Sequence, residues 1–512
     1  MKAFSLLWAL GLLFFCSCRT KPAFAYVDIK ADGALGPEEA SLKSLLTEDL
    51  LLPLGIRLVS PGEGPEEIQP DLVIELVSSW EFEAPPEGPA LSKTYFVPRE
   101  DALGGRTNTS LGACLSGAET LVPLGELEPP FVALRVDGLT VADEGYPLIR
   151  LAGFRVRETE GSSAKQDRAS ALEGALRSAL AAGPEGAPPG EEGPEPLRVA
   201  AIEKKPELFW IAAAGDLMLE RGAGDILLME GPAGLYGGVD PLFREADLRV
   251  LNLEGAVSRR GIRAEKTYNF RFPPATAGAL GAAGINAVLL ANNHVFDWGP
   301  EAFADTLMYL EEAGIGVLGA GRNEEEAAGP FVFSKGSTAV HVFGIASFPR
   351  EASGWDGLSA AAGPDRAGIL HWRRGGGEKL QARFSGEALD VVFFHGGQEW
   401  TSRPDLPARE FYTGLVRAGA DLLIGSHPHF VQGFEWVLGK PVFWSLGNFV
   451  FPGMENTGGG DEGLFIRLGF WGKRLLYLEP YPLDLSGPRT ELAPRERLAR
   501  FYALSGELAH SR

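Results

Sequence analysis

The stretch Leu422-Leu-Ile-Gly-Ser-His-Pro-His429 places two imidazoles directly after a run of apolar residues. An apolar run that ends in a polar turn is typical of a buried strand that delivers side chains to the carboxyl edge of its sheet. Alternate residues of an extended segment point to the same side, and Pro428 favours an extended conformation in the residue before it. The pattern predicts that His427 and His429 present their rings in parallel, as metal ligands.

Four earlier segments repeat this pattern, and each ends in a residue type that binds metals. They are Trp210-Ile-Ala-Ala-Ala-Gly-Asp216, Leu251-Asn-Leu-Glu254, Val288-Leu-Leu-Ala-Asn-Asn-His294 and Val391-Val-Phe-Phe-His395. A shell of carboxylates, an amide and imidazoles suits a pair of divalent transition metals better than thiolate zinc or all-oxygen calcium. The sequence therefore predicts a site for two divalent metal ions (Mn, Zn or Fe) on an α/β sandwich.

Each candidate also has a plainer interpretation. Asp216 fits the N-cap of a helix equally well, and His294 could cap a helix instead of contributing to a site. His341 lies inside a predicted strand and His371 lies in a loop beside Trp372, so both are expected to be structural or surface residues.

Composition narrows the class of protein without naming its activity. The chain has 512 residues, of which 45% are hydrophobic and 22% charged, so we expect globular material in two domains plus a tail. A net charge of -21 argues against nucleic acid as a partner and against electrostatic docking on anionic lipid. It would also repel a polyanionic substrate unless bound metals supply positive charge locally.

The first eighteen residues have the pattern of a secretory signal. Lys2 precedes an apolar stretch from Phe4 to Phe15, which is too short to span a membrane. Ser17 before Cys18 resembles a bacterial lipoprotein processing site, with Cys16 as a second candidate for lipid attachment. We therefore expect export to the periplasmic or extracellular face of the cell envelope and membrane attachment through an N-terminal lipid. An ordinary signal peptide without lipid is the alternative.

If processing falls at Cys18, only Cys114 would remain as a free thiol, which leaves neither an intrachain disulfide nor a cysteine metal site.

The rest of the chain divides at a Gly/Pro/Glu-rich linker, residues 183–206, whose composition cannot form a packed element. Before it, residues 23–182 are expected to form a smaller N-terminal α/β accessory domain, with a helix over 38–54 and a strand over 71–77. Residues 132–138 and 145–149 weakly resemble periplasmic solute-binding proteins of the phosphate type, and a purely structural domain is the alternative.

After the linker, residues 207–487 alternate strands with helices and are expected to form a layered α/β domain, followed by a helical tail over 488–512. The helices are predicted over Ala302–Ala313 and Arg409–Ala418, each stopped by a glycine. The predicted strands are 331–333, 339–345, 390–394, 421–424 and 441–444.

Several ordered blocks between about Phe209 and Tyr481 resemble the CapA family of poly-gamma-glutamate capsule synthesis proteins, within the calcineurin-like metallophosphoesterases. The blocks are Gly215-Asp-Leu-Met-Leu219, Asn252-Leu-Glu254, Phe270-Arg-Phe-Pro-Pro274, Ala291-Asn-Asn-His294 with Asp297-Trp-Gly299, Ala313-Gly-Ile315 with Gly319-Ala-Gly321, His395-Gly-Gly-Gln-Glu-Trp400, Gly419-Ala-Asp421, Gly425-Ser-His-Pro-His429 and Ser445-Leu-Gly-Asn-Phe449. The resemblance implies a four-layer αββα metallophosphoesterase-like sandwich.

The resemblance also implies a role for each candidate residue. One metal would take Asp216 and His429, the second would take Asn293, His395 and His427, and Glu254 would bridge them. His294 would protonate a leaving group or steady the attacked oxygen.

Two positions depart from the related phosphoesterases. Met218 stands where a histidine is usual, and Glu254 stands where aspartate usually bridges. The first metal site is therefore expected to be weak, empty or selective for a different ion, although both changes look normal for CapA proteins.

Four further residues are predicted to bind substrate. Arg271 and Lys266 could pair with an anionic group, although Arg271 fits equally well as a residue that stacks on neighbouring aromatic rings. Glu399 and Asn448 come from turns near predicted strand ends.

Three functions fit these observations. The first is a metal-dependent hydrolase of a phosphoester, or of an amide in a capsule polymer such as poly-gamma-glutamate, working with other capsule-synthesis proteins. The second is a non-catalytic envelope protein that tethers an anionic polymer through metal-bridged carboxylates. The third makes the N-terminal domain a ligand-binding module that regulates the metal domain.

Overall fold

The computed structural model describes residues 206–510, except positions 352 and 456, together with separate segments between residues 25 and 176. The expected signal peptide, both N-terminal cysteines, the helix expected over 38–54 and linker residues 183–205 lie outside the described residues. The chain divides into two compact units, Met1–Phe96 with Pro147–Lys204 and Val97–Tyr146 with Lys205–Arg512. Within the described residues, no helix has the length and apolar character needed to cross a membrane.

The described part of the first unit is a mixed sheet in the order β2-β1-β3-β9-β4. β1 is parallel to β2 and β3, whereas β9 is antiparallel to β3 and β4. The strand expected over 71–77 is confirmed as β3. The bounds are β1 Ala25–Lys30, β2 Ile56–Leu58, β3 Leu72–Trp80, β4 Ser92–Asp101 and β9 Ile149–Glu158.

Residues 97–146 belong to the second unit, although they precede the linker by many residues. Arg135 donates to Glu479 at 2.5 Å, and the Val141 amide donates to the Tyr477 hydroxyl at 2.9 Å. Leu134 is fully buried, so residues 97–146 also contribute apolar contacts to the second unit. The domain boundaries expected from the sequence stay predictions. The short strands here are β5 Asn108–Thr109, β6 Leu121–Pro123, β7 Phe131–Ala133 and β8 Arg135–Val136.

Two sheets form the body of the second unit. The first has the order β15-β14-β11-β10-β25-β26-β27, with β24 also paired to β10, and the second has the order β17-β18-β20-β21-β23-β22. The bounds of the first are β10 Phe209–Leu217, β11 Leu248–Leu253, β14 Ala287–Leu289, β15 Gly316–Leu318, β24 Asn448–Val450, β25 Glu462–Trp471, β26 Arg474–Asp484 and β27 Glu491–Leu492. Those of the second are β17 Phe331–Lys335, β18 Thr338–Ser347, β20 Leu389–Gly396, β21 Leu422–Ser426, β22 Val431–Val437 and β23 Lys440–Leu446.

Four short strands form two separate two-stranded sheets, and helices connect many of the strands. The short strands are β12 Ala256–Val257 paired with β13 Arg271–Phe272, and β16 Ala320–Gly321 paired with β19 Gly368–Ile369. The α-helices described here are α1 Ala223–Tyr236, α2 Asp240–Arg244, α3 Ala275–Ala282, α4 Gly299–Glu312, α5 Glu324–Ala328, α6 Gly376–Gln381, α7 Leu406–Ala418 and α8 Leu498–His510. The 3₁₀ turns are Gly357–Ala360, Trp372–Arg374 and Arg495–Arg497.

Alternation along β20 explains how the layers pack. Val391 and Phe393 belong to the large apolar cluster that includes both sheets, whereas Val392 and Phe394 pack with α7 on the opposite face. Successive side chains of a strand point to opposite faces, so a strand covered on both sides must be apolar throughout. The expected α/β sandwich is confirmed, and so are the expected helices within α4, α7 and α8.

Candidate metal centre

The carboxyl edges of the two sheets meet at a cluster of buried polar side chains. Parallel strands β10, β11 and β14 end at this edge of the first sheet, and β20 and β21 end at it in the second. The structure brings together all six residues predicted as metal ligands, each at most 4% exposed: Asp216, Glu254, Asn293, His395, His427 and His429.

One half of the cluster is formed by an amide and two imidazoles. His395 Nε2 lies 2.9 Å from Asn293 Oδ1 and 2.9 Å from His427 Nδ1. Donor atoms around one small divalent cation lie roughly 3 Å apart, so these three side chains have the spacing of a ligand set.

The ring orientation of His395 is fixed from behind. The Ser426 hydroxyl donates to the Phe394 carbonyl, and its oxygen lies 3.2 Å from His395 Nδ1, the same distance as Asn252 Nδ2. These contacts on Nδ1 orient the ring so that Nε2 faces the cluster. Burial, followed by the neighbouring histidines, holds the pKa of His395 well below its usual range, and burial does the same to the pKa of His427. Both imidazoles are therefore neutral and able to bind a cation.

The other half of the cluster contains the two carboxylates. His429 Nδ1 lies 3.4 Å from Asp216 Oδ2, and its Nε2 lies 4.0 Å from Glu254 Oε1. One ligand atom from each of Asp216, Glu254 and His395 lies within 4.8 Å of the others. Although burial opposes the charged form of His429, its hydrogen bond to Asp216 and the charge of that residue raise the pKa overall.

Glu254 provides a test of whether a cation fits this cluster. Its side chain is fully buried, and its Oε1 accepts no hydrogen bond from the described residues. Burial, followed by the charge of Asp216, raises the pKa of Glu254 well above its usual range. In the described part of the chain, no lysine or arginine pairs with either carboxylate. A buried acid with an unused oxygen, beside imidazoles and without a lysine or arginine partner, is what a metal ligand set requires before the metal binds.

Met218, where the family resemblance led us to expect a histidine in place of methionine, offers no nitrogen donor to the cluster. Its side chain is fully buried, and its sulfur accepts from the backbone amide of Glu220 at 3.2 Å. The half of the cluster that contains the carboxylates therefore has fewer imidazole donors than the half that contains His395 and His427.

The expected conformation of the His427-Pro-His429 segment is wrong. Instead of an extended segment, it is a turn in which His427 has φ 99° and His429 has φ 59°. Both rings still face the cluster, because two left-handed residues flanking Pro428 redirect the chain after β21. Positive φ costs a non-glycine residue on the order of 1 kcal/mol or more, and such strain concentrates at functional sites.

His294 faces the cluster from the first sheet. Its Nδ1 lies 2.6 Å from Asp297 Oδ2, and its Nε2 lies 3.7 Å from Glu254 Oε1. Because Asp297 accepts the Nδ1 proton, Nε2 is the nitrogen that can exchange a proton with a bound molecule. Asp297 also accepts from the Phe270 amide at 2.7 Å, which fixes the carboxylate in place.

Lys266 lies behind the cluster and not at a surface that substrate could reach. Its side chain is fully buried, and Nζ donates to Asp297 Oδ1 at 2.7 Å and to the Asn293 carbonyl at 2.6 Å. A third contact joins Nζ to Glu351 Oε1 at 2.9 Å, and the ammonium lies 4.3 Å from the centre of the Trp355 ring.

Glu351 decides which way the Asn293 amide points. Its Oε1 accepts from Asn293 Nδ2 at 3.2 Å, so Oδ1 is the atom that faces His395. Nothing in the sequence marked Glu351, because it follows β18 and is far along the chain from Asn293.

Two asparagines in the centre carried a signal that sequence reasoning did not use. Asn252 Nδ2 donates to Asp216 Oδ1 at 2.8 Å, and Asn292 Nδ2 donates to Asn252 Oδ1 at 3.1 Å. Asn252 stands two positions before Glu254, and alternate strand residues share a face, so its position was predictable.

Of the other three residues predicted to bind substrate, only Glu399 lines the cavity. Arg271 stacks on Trp298 with its guanidinium carbon 3.5 Å from the ring centre, and it is outside the cavity lining. Asn448 is fully buried and its Oδ1 lies 2.9 Å from His429 Nδ1, so it orients that ring. The role of all three in binding substrate stays a prediction.

A cavity of about 770 Å³ opens in front of the cluster. Asn293, His294, His427 and His429 form part of its wall, and aromatic side chains form much of the rest: Tyr268, Phe270, Phe348, Trp400 and Phe451. The volume suits a ligand of several chemical groups held against the cluster.

Residues 210–453 match a protein family described as bacterial capsule synthesis protein PGA_cap. Among curated proteins, the capsule biosynthesis protein CapA of Bacillus anthracis is 29% identical over 258 residues, which cover 48% of this chain and 60% of that protein. The PGA biosynthesis protein CapA of Bacillus subtilis is 27% identical over 244 residues, covering 46% of this chain and 62% of the relative. The chain thus spans about three fifths of the length of these curated relatives.

Among solved structures, a phosphatase from Mycoplasma pneumoniae aligns with 58% of this chain and 99% of its own. The identity is 14% and the TM-score is 0.34.

Proposed function

We propose that the second unit, whose residues 210–453 match the bacterial capsule synthesis protein family, is a metal-dependent hydrolase. Its substrate is a phosphoester or an amide of an acidic envelope polymer. The observation that carries the proposal is the buried cluster of two carboxylates, three imidazoles and one amide, which lies beside a cavity and has no lysine or arginine paired with its carboxylates among the described residues.

The donor set fits two divalent ions. Asn293, His395 and His427 would hold one, Asp216 and His429 would hold the other, and Glu254 would contact both. When bound, Mn, Zn or Fe ions would supply Lewis acidity and lower the pKa of a nucleophilic water.

The chain's own residues then orient the substrate and move the proton. Asp297 and Lys266 hold His294 so that Nε2 faces the cavity and can donate a proton to a leaving oxygen or nitrogen. The surrounding aromatic side chains exclude water from one side of the bound group, which strengthens the electrostatic interactions within the cavity.

Metal stoichiometry combined with turnover tests this proposal. The full chain, exchanged into manganese or zinc, is expected to hold two ions per chain and to hydrolyse a chromogenic phosphodiester or a γ-linked glutamate oligomer. One weakly held ion without turnover of either would contradict hydrolysis and favour the second candidate, a protein that tethers an acidic polymer through metal-bridged carboxylates. The missing histidine at Met218 is the observation that favours this alternative.

We also propose that the protein is exported and attached to the envelope membrane by a lipid on Cys18. Residues 1–18 support this proposal through their charged start, short apolar core and terminal cysteine. Because the names of the relatives refer to capsule and PGA biosynthesis, we further propose other capsule-synthesis proteins as partners. Loss of membrane fractionation in Cys18→Ser, but not in Cys16→Ser, would support Cys18. Equal membrane association of both variants and the unchanged chain would contradict lipid attachment there.

A further inference from the structure

Arg221 is held at the mouth of the cavity by contacts that the sequence did not predict. It follows β10 and lines the cavity, and its side chain is exposed. Its Nη1 donates to the Pro452 carbonyl at 2.6 Å, and its guanidinium carbon lies 5.7 Å from the centre of the Phe270 ring. These two contacts fix the direction of an otherwise flexible side chain.

The backbone on both sides of this contact is adapted to it. Arg221 has φ 55°, a left-handed conformation that is unfavourable for residues other than glycine. Opposite it, Gly453 has φ 97°, and a Cβ there would lie 2.2 Å from Arg221 Nη1. The strained backbone at Arg221 and the missing side chain at Gly453 together make room for the guanidinium.

The guanidinium has donors left over for a ligand. An arginine carries five N–H donors, and the hydrogen bond to Pro452 uses only one of its nitrogens. Among the described residues, no carboxylate forms an ion pair with Arg221, whereas Arg350, also in the cavity wall, lies 3.7 Å from Asp356. A fixed cation without a counterion at a cavity mouth is a receptor for an oxyanion.

Phe270 connects this position to the metal centre. Its ring centre lies 4.4 Å from that of His294, and Arg221 lies over the same ring. A group bound by Arg221 would therefore be one aromatic ring away from the group held at His294.

We propose that Arg221 binds a second anionic group of the substrate, a carboxylate or a phosphate, at a distance from the bond that is cleaved. This inference rests on the proposed function only in taking the cavity as the substrate site. It identifies the substrate as an acidic molecule with at least two charged groups, such as an oligomer with one charge per repeat. A neutral analogue of this substrate would lack the contact with Arg221.

Binding measured by calorimetry tests the inference without requiring turnover. The manganese-exchanged full chain is titrated with three ligands. They are γ-linked triglutamate, the same peptide with carboxamides in place of its free α-carboxylates, and a glycerol phosphate trimer. Arg221→Met is expected to weaken at least one acidic trimer about tenfold, the loss typical of a charge-assisted hydrogen bond, and to leave the carboxamide unaffected. Whichever acidic trimer loses affinity identifies carboxylate or phosphate as the recognised group.

Matched variants separate recognition from folding. Arg221→Lys keeps the charge and is expected to bind with intermediate affinity. Arg417→Met removes an exposed arginine of α7, outside the cavity lining, and is expected to change nothing. Equal weakening of all three trimers by Arg221→Met, or no weakening of either acidic trimer, would overturn the inference. Arg221-dependent binding without any turnover would retain it while the hydrolase proposal fails.

Discussion

The amino edge of the second sheet and the carboxyl edge of the first sheet differ in how they hold buried carboxylates. At the edge away from the cluster, Asp421 accepts from Lys440 and Lys473 at 2.7 Å each. At the carboxyl edge of the first sheet, Asp216 and Glu254 are fully buried beside each other, among amides and imidazoles, and no lysine or arginine of the described residues pairs with them. The first arrangement supplies its own positive charge. The second supplies no lysine or arginine, so its acids are held at a cost that a bound metal ion would relieve.

The largest expected effect separates the ligands of that cation from the proton donor. His294→Ala is expected to lower turnover of a chromogenic phosphodiester roughly 10²- to 10⁴-fold while bound metal is retained, because only the proton transfer is lost. His427→Ala is expected to lose metal and turnover together. Metal analysis of both purified variants checks this, and equal metal content in the two would contradict the assigned roles.

The second prediction compares the two edges directly. In metal-free protein at pH 8, Asp421→Asn is expected to lower the free energy of unfolding by about 2 kcal/mol, less than for a fully buried pair because both lysines are about one third exposed. Glu254→Gln is expected to stabilise the same metal-free protein, since the amide removes a buried charge.

The sign of the pH dependence sharpens this comparison. The folded pKa of Glu254 is raised, so its contribution to stability is present below its unfolded pKa and is lost as the pH rises through the folded value. Glu254→Gln should remove this loss. Denaturant unfolding in chelator at pH 5 and pH 8 measures it, and an unchanged pH dependence would mean that Glu254 is solvated or neutralised by another group.

The third prediction concerns the orientation of the Asn293 amide. Glu351→Ala is expected to weaken metal binding by about tenfold or somewhat more, because supporting residues around a ligand typically contribute that much. Glu351→Gln keeps an acceptor for Asn293 Nδ2 and should restore most of the affinity. Calorimetric titration with manganese is the measurement, with Glu387→Ala as an exposed control. Equal losses in both Glu351 variants would point to the contact with Lys266 instead.

The smallest expected effect comes from His371, a buried histidine outside the cluster. Burial, followed by the charge of Arg373, lowers its pKa to about 4. Because the folded pKa lies below the unfolded one, its contribution to stability is present above pH 6.5 and is lost as the pH falls. Between pH 6.5 and 5.5 the loss should be about 1 kcal/mol.

His371→Asn is expected to flatten this dependence while keeping the cap, since asparagine can also accept from the Arg373 amide. Denaturant unfolding of metal-free protein across this range checks it, and an identical slope in the variant would assign the pH dependence to other groups.

How far the sequence predicts the centre depends on how local each signal is. His395 was predictable because a continuous apolar run before it marks a strand buried on both faces, and Asp216 and Glu254 follow the same logic. The turn at His427 was not predictable from the sequence. Pro428 favours an extended conformation in the residue before it, whereas in the folded protein His427 has φ 99°.

Residue types and strand ends in the sequence alone determined that carboxylates, an amide and imidazoles would collect at one edge of an α/β sandwich, since strand periodicity is a local property of the chain. Only the tertiary structure decided that Lys266 is buried behind the cluster, that Glu351 orients Asn293 and that Gly453 makes room for Arg221. Each of these contacts joins residues far apart in the chain, and their positions follow from how the layers pack and not from any local pattern.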